Sequence, residues 1–216
     1  MTEQDAIRVL LVDDHPVVRR GVAQIIVESY PHAVIRENCS STDALGSARN
    51  DRWDLVILDL TLPDGSGLDV LKQIKKAQAD VPVMILSVHP GEQFARRCAA
   101  AGASGYLTKD AAGVELTTAI ARVIRGGTYF GDQVAEEIAS GSTPDGGEQS
   151  LERLSDREYE VLRLIGEGKT VSEIANVLTI SVKTVSTYRT RLLTKMGMRT
   201  NAELMHYALR TGLMRP

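Results

Sequence analysis

Cysteine is scarce: the 216 residues hold two, Cys39 and Cys98. They have neither the number for a disulfide framework nor metal-ligand spacing, so both are expected as buried thiols in a reducing compartment. Long hydrophobic runs are also missing. No apolar stretch approaches the ~20 residues that a membrane-crossing helix needs, so no membrane partner is expected. The first residues, MTEQDAIRVLLVDDHP, lack a basic segment leading into an apolar one. No export signal is read there, and a cytoplasmic location is expected. Internal repeats are absent as well. What remains is 43% hydrophobic and 25% charged, a composition that suits one large domain or two small ones.

The net charge of −3 hides an asymmetry. Residues 1–150 hold 14 Lys and Arg against 21 Asp and Glu, and residues 151–216 hold 11 against 7. The halves therefore carry −7 and +4. An acidic half joined to a basic one predicts two domains with different partners, the second facing an anion.

Short apolar runs recur in the first half: Val9–Val12, Leu55–Leu58, Val83–Leu86, and the weaker Ala33–Ile35 and Tyr106-Leu107. Each is followed by apolar residues at helical spacing, as Val17, Val18, Val22, Ile25 and Ile26 follow the first. Five strand–helix units predict a parallel, doubly wound α/β sheet with strands buried on both faces. A polar, Gly-rich segment within residues 131–150 predicts a linker. Beyond it the pattern is wholly helical. Ser155 and Glu158 form a capping-box signature, and four helices are expected, the third from about Ser181 to Met196 and the fourth over about Asn201–Arg210, stopped by Gly212.

Ligand sites in parallel α/β sheets gather at the carboxyl ends of strands. There the sequence places Asp13-Asp14, then Asp59, then Ser87, then Lys109. Asp14 also suits the N-cap of a helix starting at Pro16. Three converging carboxylates raise one another's pKa unless a cation offsets them, and Mg2+ is the hard ion of choice. A carboxylate beside a metal and a lysine can attack phosphorus.

Residues 7–127 resemble the receiver domain of a two-component response regulator. The likeness rests on Asp13-Asp14, Asp59, Ser87 and Lys109, in order and at these strand ends. It implies a flavodoxin-like fold with Asp59 as phosphoacceptor and a sensor histidine kinase as donor. It implies Mg2+, or Mn2+, on Asp14, Asp59 and the Thr61 backbone carbonyl, with Asp13 bound through water. Lys109 would pair with the phosphate, while Ser87 and Tyr106 would be the switch pair. Such a receiver assists its own chemistry without being a turnover enzyme. Asp110 stands where most receivers have Pro, which fits the branch with a four-helix output. Val88 stands where Ala is common, and its bulk is expected to slow water attack on the acyl phosphate.

From Ile174 to Ala202 there is no acid, and Lys183, Arg189, Arg191, Lys195 and Arg199 lie in that span. In the third helix Val182, Val185, Leu192, Leu193 and Met196 can form a buried stripe. On charge alone, a bundle with a basic face fits as well as DNA binding. Residues 151–216, however, resemble the LuxR-type helix-turn-helix of the NarL/FixJ family, through LSDREYEVLRLIGEGKTVSEIANVLTISVKTVSTYRTRLLTKMGMRTNAEL. The resemblance implies that Val182–Met196 is the recognition helix and that Thr179-Ile180-Ser181 is the turn before it. Ser186, Thr187 and Thr190 would face base edges, and Lys183, Thr184, Tyr188, Arg191 and Lys195 would meet phosphates. The expected organisation is receiver 1–130, linker 131–150 and DNA-binding domain 151–216. The active form is expected to be a homodimer on double-stranded promoter DNA. Two rivals remain: a regulator that binds DNA without phosphate, and a metal-dependent phosphohydrolase with an aspartyl nucleophile. Thr61 stands where a haloacid-dehalogenase-type enzyme has its second Asp, which counts against the latter.

Overall fold

The computed structural model describes residues 6–88, 92–132, 134–136, 154–178, 180–210 and 213. Of the expected linker, residues 133 and 137–150 lie outside that set, as do Thr179 and Gly212. The chain divides into two compact units, Met1–Ser142 and Thr143–Pro216.

Among the described residues the first unit has seven strands: β1 (Arg8–Val12), β2 (Val34–Asn38), β3 (Leu55–Leu58), β4 (Thr61–Leu62), β5 (Gly65–Ser66), β6 (Val83–Ser87) and β7 (Gly105–Thr108). Five form one parallel sheet in the order β2-β1-β3-β6-β7. The sequences LVIL and VMILS are buried throughout because helices cover both faces. Helices α1 (Pro16–Ser29) and α5 (Ala112–Ile124) pack on one face. There Val22, Ile26, Leu116, Ile120 and Val123 meet Val9, Leu11, Ile57 and Leu86. The alternate residues Leu10, Leu58 and Ile85 are buried on the other face. Helices α2 (Ser41–Asn50) and α3 (Gly67–Ala77) pack together there, α2 on β1, and α4 (Glu92–Ala100) packs on β7.

The strand register positions the site. Val12 lies opposite Leu58, Leu58 opposite Ile85, and Ser87 opposite Thr108. Strands β1 and β3 therefore end level, β6 and β7 end level two residues further along, and the ladder continues past them. Asp59 N donates to Val12 O at 2.8 Å, and Lys109 N donates to Ser87 O at 2.8 Å.

Four details depart from the sequence reading. The N-cap of α1 is His15, with Pro16 at the first helical position, so Asp14 lies one residue too early to cap it. Val17 is 82% exposed. It sits about 140° round the helix from Val22, away from the core. Strand β2 runs on past Ile35 to Asn38, because an edge strand tolerates the charged Arg36 and Glu37. Cys39, just beyond it, is exposed, whereas Cys98 is buried.

Two further features had no sequence signal. Tyr129 exchanges backbone hydrogen bonds with Ser104 and Tyr106, covering the outer edge of β7. Strands β4 and β5 make a small antiparallel hairpin directly after Asp59. Gly67 closes it: a Cβ there would lie 2.3 Å from the Asp59 carbonyl oxygen, so no other residue fits without displacement.

The second unit contains helices α6 (Asp156–Gly166), α7 (Val171–Val177), α8 (Val182–Met196) and α9 (Asn201–Arg210). The Ser155–Glu158 capping box forms as expected, and Thr170–Glu173 forms a second. Helix α8 starts on the Ser181 side chain and ends at Gly197 in the left-handed conformation, φ 65°. Leu162, Ile174, Val185, Leu192 and Leu204 are fully buried. Val182 is not part of this core. As the first residue of α8 it is half exposed, and burial begins at Val185. Among the described residues no helix is long and apolar enough to cross a membrane.

Candidate functional site

The carboxyl ends of β1, β3, β6 and β7 bring Asp13, Asp59, Ser87 and Lys109 to one edge. The Lys109 ammonium joins the cluster, lying 2.6 Å from Asp13 Oδ2 and 2.7 Å from Asp59 Oδ2. All three side chains are nearly inaccessible, Lys109 at 9% and the two acids at 2% or less. The remaining oxygens are held by the local backbone. Asp13 Oδ1 accepts from His15 N at 2.8 Å, and Asp59 Oδ1 accepts from Thr61 N at 3.1 Å. The Thr61 bond seats the hairpin beside the carboxylate. Ser87 is fully buried at the end of β6, and Tyr106 is buried in β7. Val88, next to Ser87, is exposed.

Burial sets the electrostatics. It pushes the Asp59 carboxyl up to about 6, against the opposing pull of Lys109, and the Asp13 charge adds to the rise. Burial also lowers the Lys109 ammonium, but Asp59 and Asp13 outweigh it and hold its pKa above the ordinary value. Lys109 thus stays protonated, while Asp59 is less acidic than a solvated carboxyl.

Asp14 is less buried, and its Oδ1 lies 2.6 Å from His15 Nδ1. Ligand atoms of Asp13, Asp14, His15 and Asp59 all lie within 4.8 Å of one another. Three hard carboxylate donors in that radius fit a small divalent cation that keeps some of its waters. The sequence puts His15 beside the site, where a lone histidine reads as a loop residue rather than a ligand, and the structure brings its ring nitrogen into this group. Arg19 is a member the sequence did not reveal. Its Nη1 donates to Asp13 O at 2.6 Å, and its Nε donates to Glu37, tying α1 to the first strand end.

In the second unit, Lys183, Thr187, Thr190 and Arg191 are exposed on α8, and Thr184, Ser186 and Tyr188 are half-buried. Two cations of the acid-free segment are engaged within the unit. Arg189 Nε donates to Asn201 Oδ1 at 2.5 Å, and Lys195 Nζ lies 2.6 Å from the buried Glu158. Lys195 therefore braces α8 against α6, and that ion pair competes with any phosphate contact.

Comparison with known proteins places both units. The family "Response regulator receiver domain" matches residues 9–121, and "Bacterial regulatory proteins, luxR family" matches residues 152–208. The chain is 36% identical to the response regulator UvrY of Escherichia coli K12 over 208 residues, covering 96% of this chain and 95% of that one. It is 32% identical to the response regulator GacA of Pseudomonas aeruginosa, covering 96% and 98%. Among solved structures it resembles RcsB of Salmonella enterica serovar Typhimurium bound to promoter rprA with the phosphomimetic BeF3−. That likeness has 26% identity, a TM-score of 0.58, and coverage of 94% of this chain and 98% of that one. The sheet order, the acid–lysine cluster and these full-length likenesses agree: the chain is a two-component response regulator of the NarL/FixJ family, with a receiver domain and a LuxR-type DNA-binding domain.

Proposed function

We propose that Asp59 accepts a phosphoryl group from a sensor histidine kinase and that this event controls DNA binding by the second unit. The observation that carries the reading is the Lys109 ammonium held between Asp13 and Asp59 in a buried cluster. Its charge would offset that of the transferring phosphoryl oxygens. An Asp59 carboxylate oxygen attacks phosphorus, the phosphorus–nitrogen bond of the donor histidine breaks, and its electron pair leaves with the imidazole. Asp14, Asp59 and the Thr61 carbonyl would hold Mg2+ or Mn2+ directly, and Asp13 through water. When bound, that ion supplies further positive charge for the phosphoryl oxygens. The Ser87 hydroxyl then donates to the new phosphate, with Tyr106 packing behind it.

Phosphorylation on this reading shifts the receiver between two populated states and favours a homodimer. The dimer binds two half-sites on promoter DNA about one helical turn apart, or at a related spacing. Ser186, Thr187 and Thr190 face bases. Lys183, Thr184, Tyr188 and Arg191 meet phosphates, and Lys195 joins them where it leaves Glu158. We assign residues 1–130 to the receiver, 131–150 to the linker and 151–216 to the DNA-binding domain. The protein works in the cytoplasm and is not a turnover enzyme.

The test is operator affinity measured with and without a small phosphodonor. Wild type should tighten on phosphorylation, and Asp59→Asn should not respond. Equal affinities for both proteins under both conditions would instead support a regulator independent of phosphate.

A further inference from the structure

Helix α8 carries a set of hydroxyls whose protons are already committed to the helix backbone. Four hydroxyls on its outer side donate back to carbonyls one turn earlier. Ser186 Oγ donates to Val182 O at 2.9 Å, Thr187 Oγ1 to Lys183 O at 3.0 Å, Thr190 Oγ1 to Ser186 O at 3.0 Å, and Thr194 Oγ1 to Thr190 O at 3.0 Å. Residues 186, 190 and 194 form one stripe along the helix, and 183, 187 and 191 form the stripe beside it. A hydroxyl has one proton and two lone pairs. With the proton committed to the helix, each oxygen faces outward as an acceptor. Each threonine also carries a methyl group.

The major-groove edge of guanine presents acceptors, N7 and O6. Adenine and cytosine present amino donors, and thymine presents a methyl group. An acceptor cannot bond an acceptor. The commonest guanine reader is a bidentate Arg or Lys, and residues 186, 187 and 190 are none of these. Arg189 and Lys195, which could serve on the same helix, are tied to Asn201 and Glu158.

We propose that Ser186, Thr187 and Thr190 act as hydrogen-bond acceptors in the groove, so that they select adenine and cytosine amino groups and thymine methyls rather than guanine. This inference rests on the DNA-binding reading and adds the chemistry by which a site is chosen. Lys183 and Arg191 on the flanking stripe supply affinity that is largely independent of sequence.

The experiment uses the full-length protein in two steps. A bound duplex is first selected from a random pool. Single bases in it are then replaced by analogues: purine for adenine and pyrimidin-2-one for cytosine, both lacking the amino group; uracil for thymine; and 7-deazaguanine for guanine. Affinities are measured for wild type, Ser186→Ala, Thr187→Val and Thr190→Val. Valine keeps the shape and a methyl but removes the oxygen. Loss of an amino group should weaken wild-type binding roughly two- to tenfold at the contacted positions, the size of one net hydrogen bond. That sensitivity should vanish in the variant lacking the matching oxygen, while thymine-methyl sensitivity survives in both Val variants. Sensitivity to 7-deazaguanine that disappears in a Ser186, Thr187 or Thr190 variant would overturn the proposal. A pool that yields no bound sequence would overturn the DNA-binding reading and this inference with it.

Discussion

At the residue scale, the two acids of the first strand end play different parts. Asp13 is buried, accepts from the His15 backbone and pairs with Lys109. Asp14 stays partly exposed and faces His15. Lys109 and the His15 N–H offset the charge on Asp13, and partial exposure leaves Asp14 in contact with solvent. Gly67 is as specific in its place. Gly67→Ala would press its Cβ into the Asp59 backbone and displace the loop that carries Asp59. We expect a loss of about 1–3 kcal/mol in receiver stability, the usual cost of overpacking, read by urea unfolding. Phosphoryl acceptance should slow in parallel, and a variant with wild-type stability and rate would contradict the assigned contact. Val88 lies exposed beside Ser87, at the rim of the site. Val88→Ala should shorten the half-life of the phosphorylated state by admitting water, and an unchanged half-life counts against that role.

At the element scale, the β4–β5 hairpin ties α2 to the site. Asp64, in its turn, accepts from Ser41 N at 2.7 Å, Thr42 N at 3.0 Å and the Thr42 hydroxyl at 2.8 Å. Desolvation raises the Asp64 carboxyl, but these hydrogen bonds together outweigh it and hold its pKa well below the ordinary 3.8. A depressed carboxyl stabilises the fold fully above its unfolded-state value and loses that contribution as the pH falls below it. Asp64→Ala should therefore cost roughly 1 kcal/mol at neutral pH, like other helix caps. In thermal unfolding the gap between variant and wild type should be flat above about pH 5 and close below about pH 4. A constant gap throughout would rule out the charged cap.

The same elements show what the sequence makes legible. Strands buried on both faces announce themselves as unbroken apolar runs, and capped helices announce themselves through Ser155 with Glu158 and through Gly197. The edge strand β2 was read short because only its first residues are apolar. The hairpin after Asp59 and the Tyr129 bridge carry no periodicity, since each depends on backbone bonds to distant residues. Val182 and Cys39 show the limit of hydrophobicity as a guide to burial. Both are apolar in type, yet each sits just at the boundary of its element, where the core no longer covers it.

At the scale of the whole molecule, the charge asymmetry maps onto the division of labour. The acidic half carries a buried acid–lysine cluster suited to phosphoryl chemistry. The basic half carries a helix with no acid along its length, whose exposed face mixes cations and hydroxyls. The site residues could be picked out because the sheet topology brings four strand ends together. Their pairing could not. That Lys109 bridges Asp13 and Asp59, and that Lys195 is held by Glu158, follows from side-chain packing between segments far apart in sequence. The most direct measurement is site mapping of the label taken from a small phosphodonor. We expect one acid-stable, base-labile phosphoryl group per chain, on Asp59, absent in Asp59→Asn and abolished when divalent cations are chelated. Labelling that persists in Asp59→Asn, or that is indifferent to chelation, would contradict the assignment.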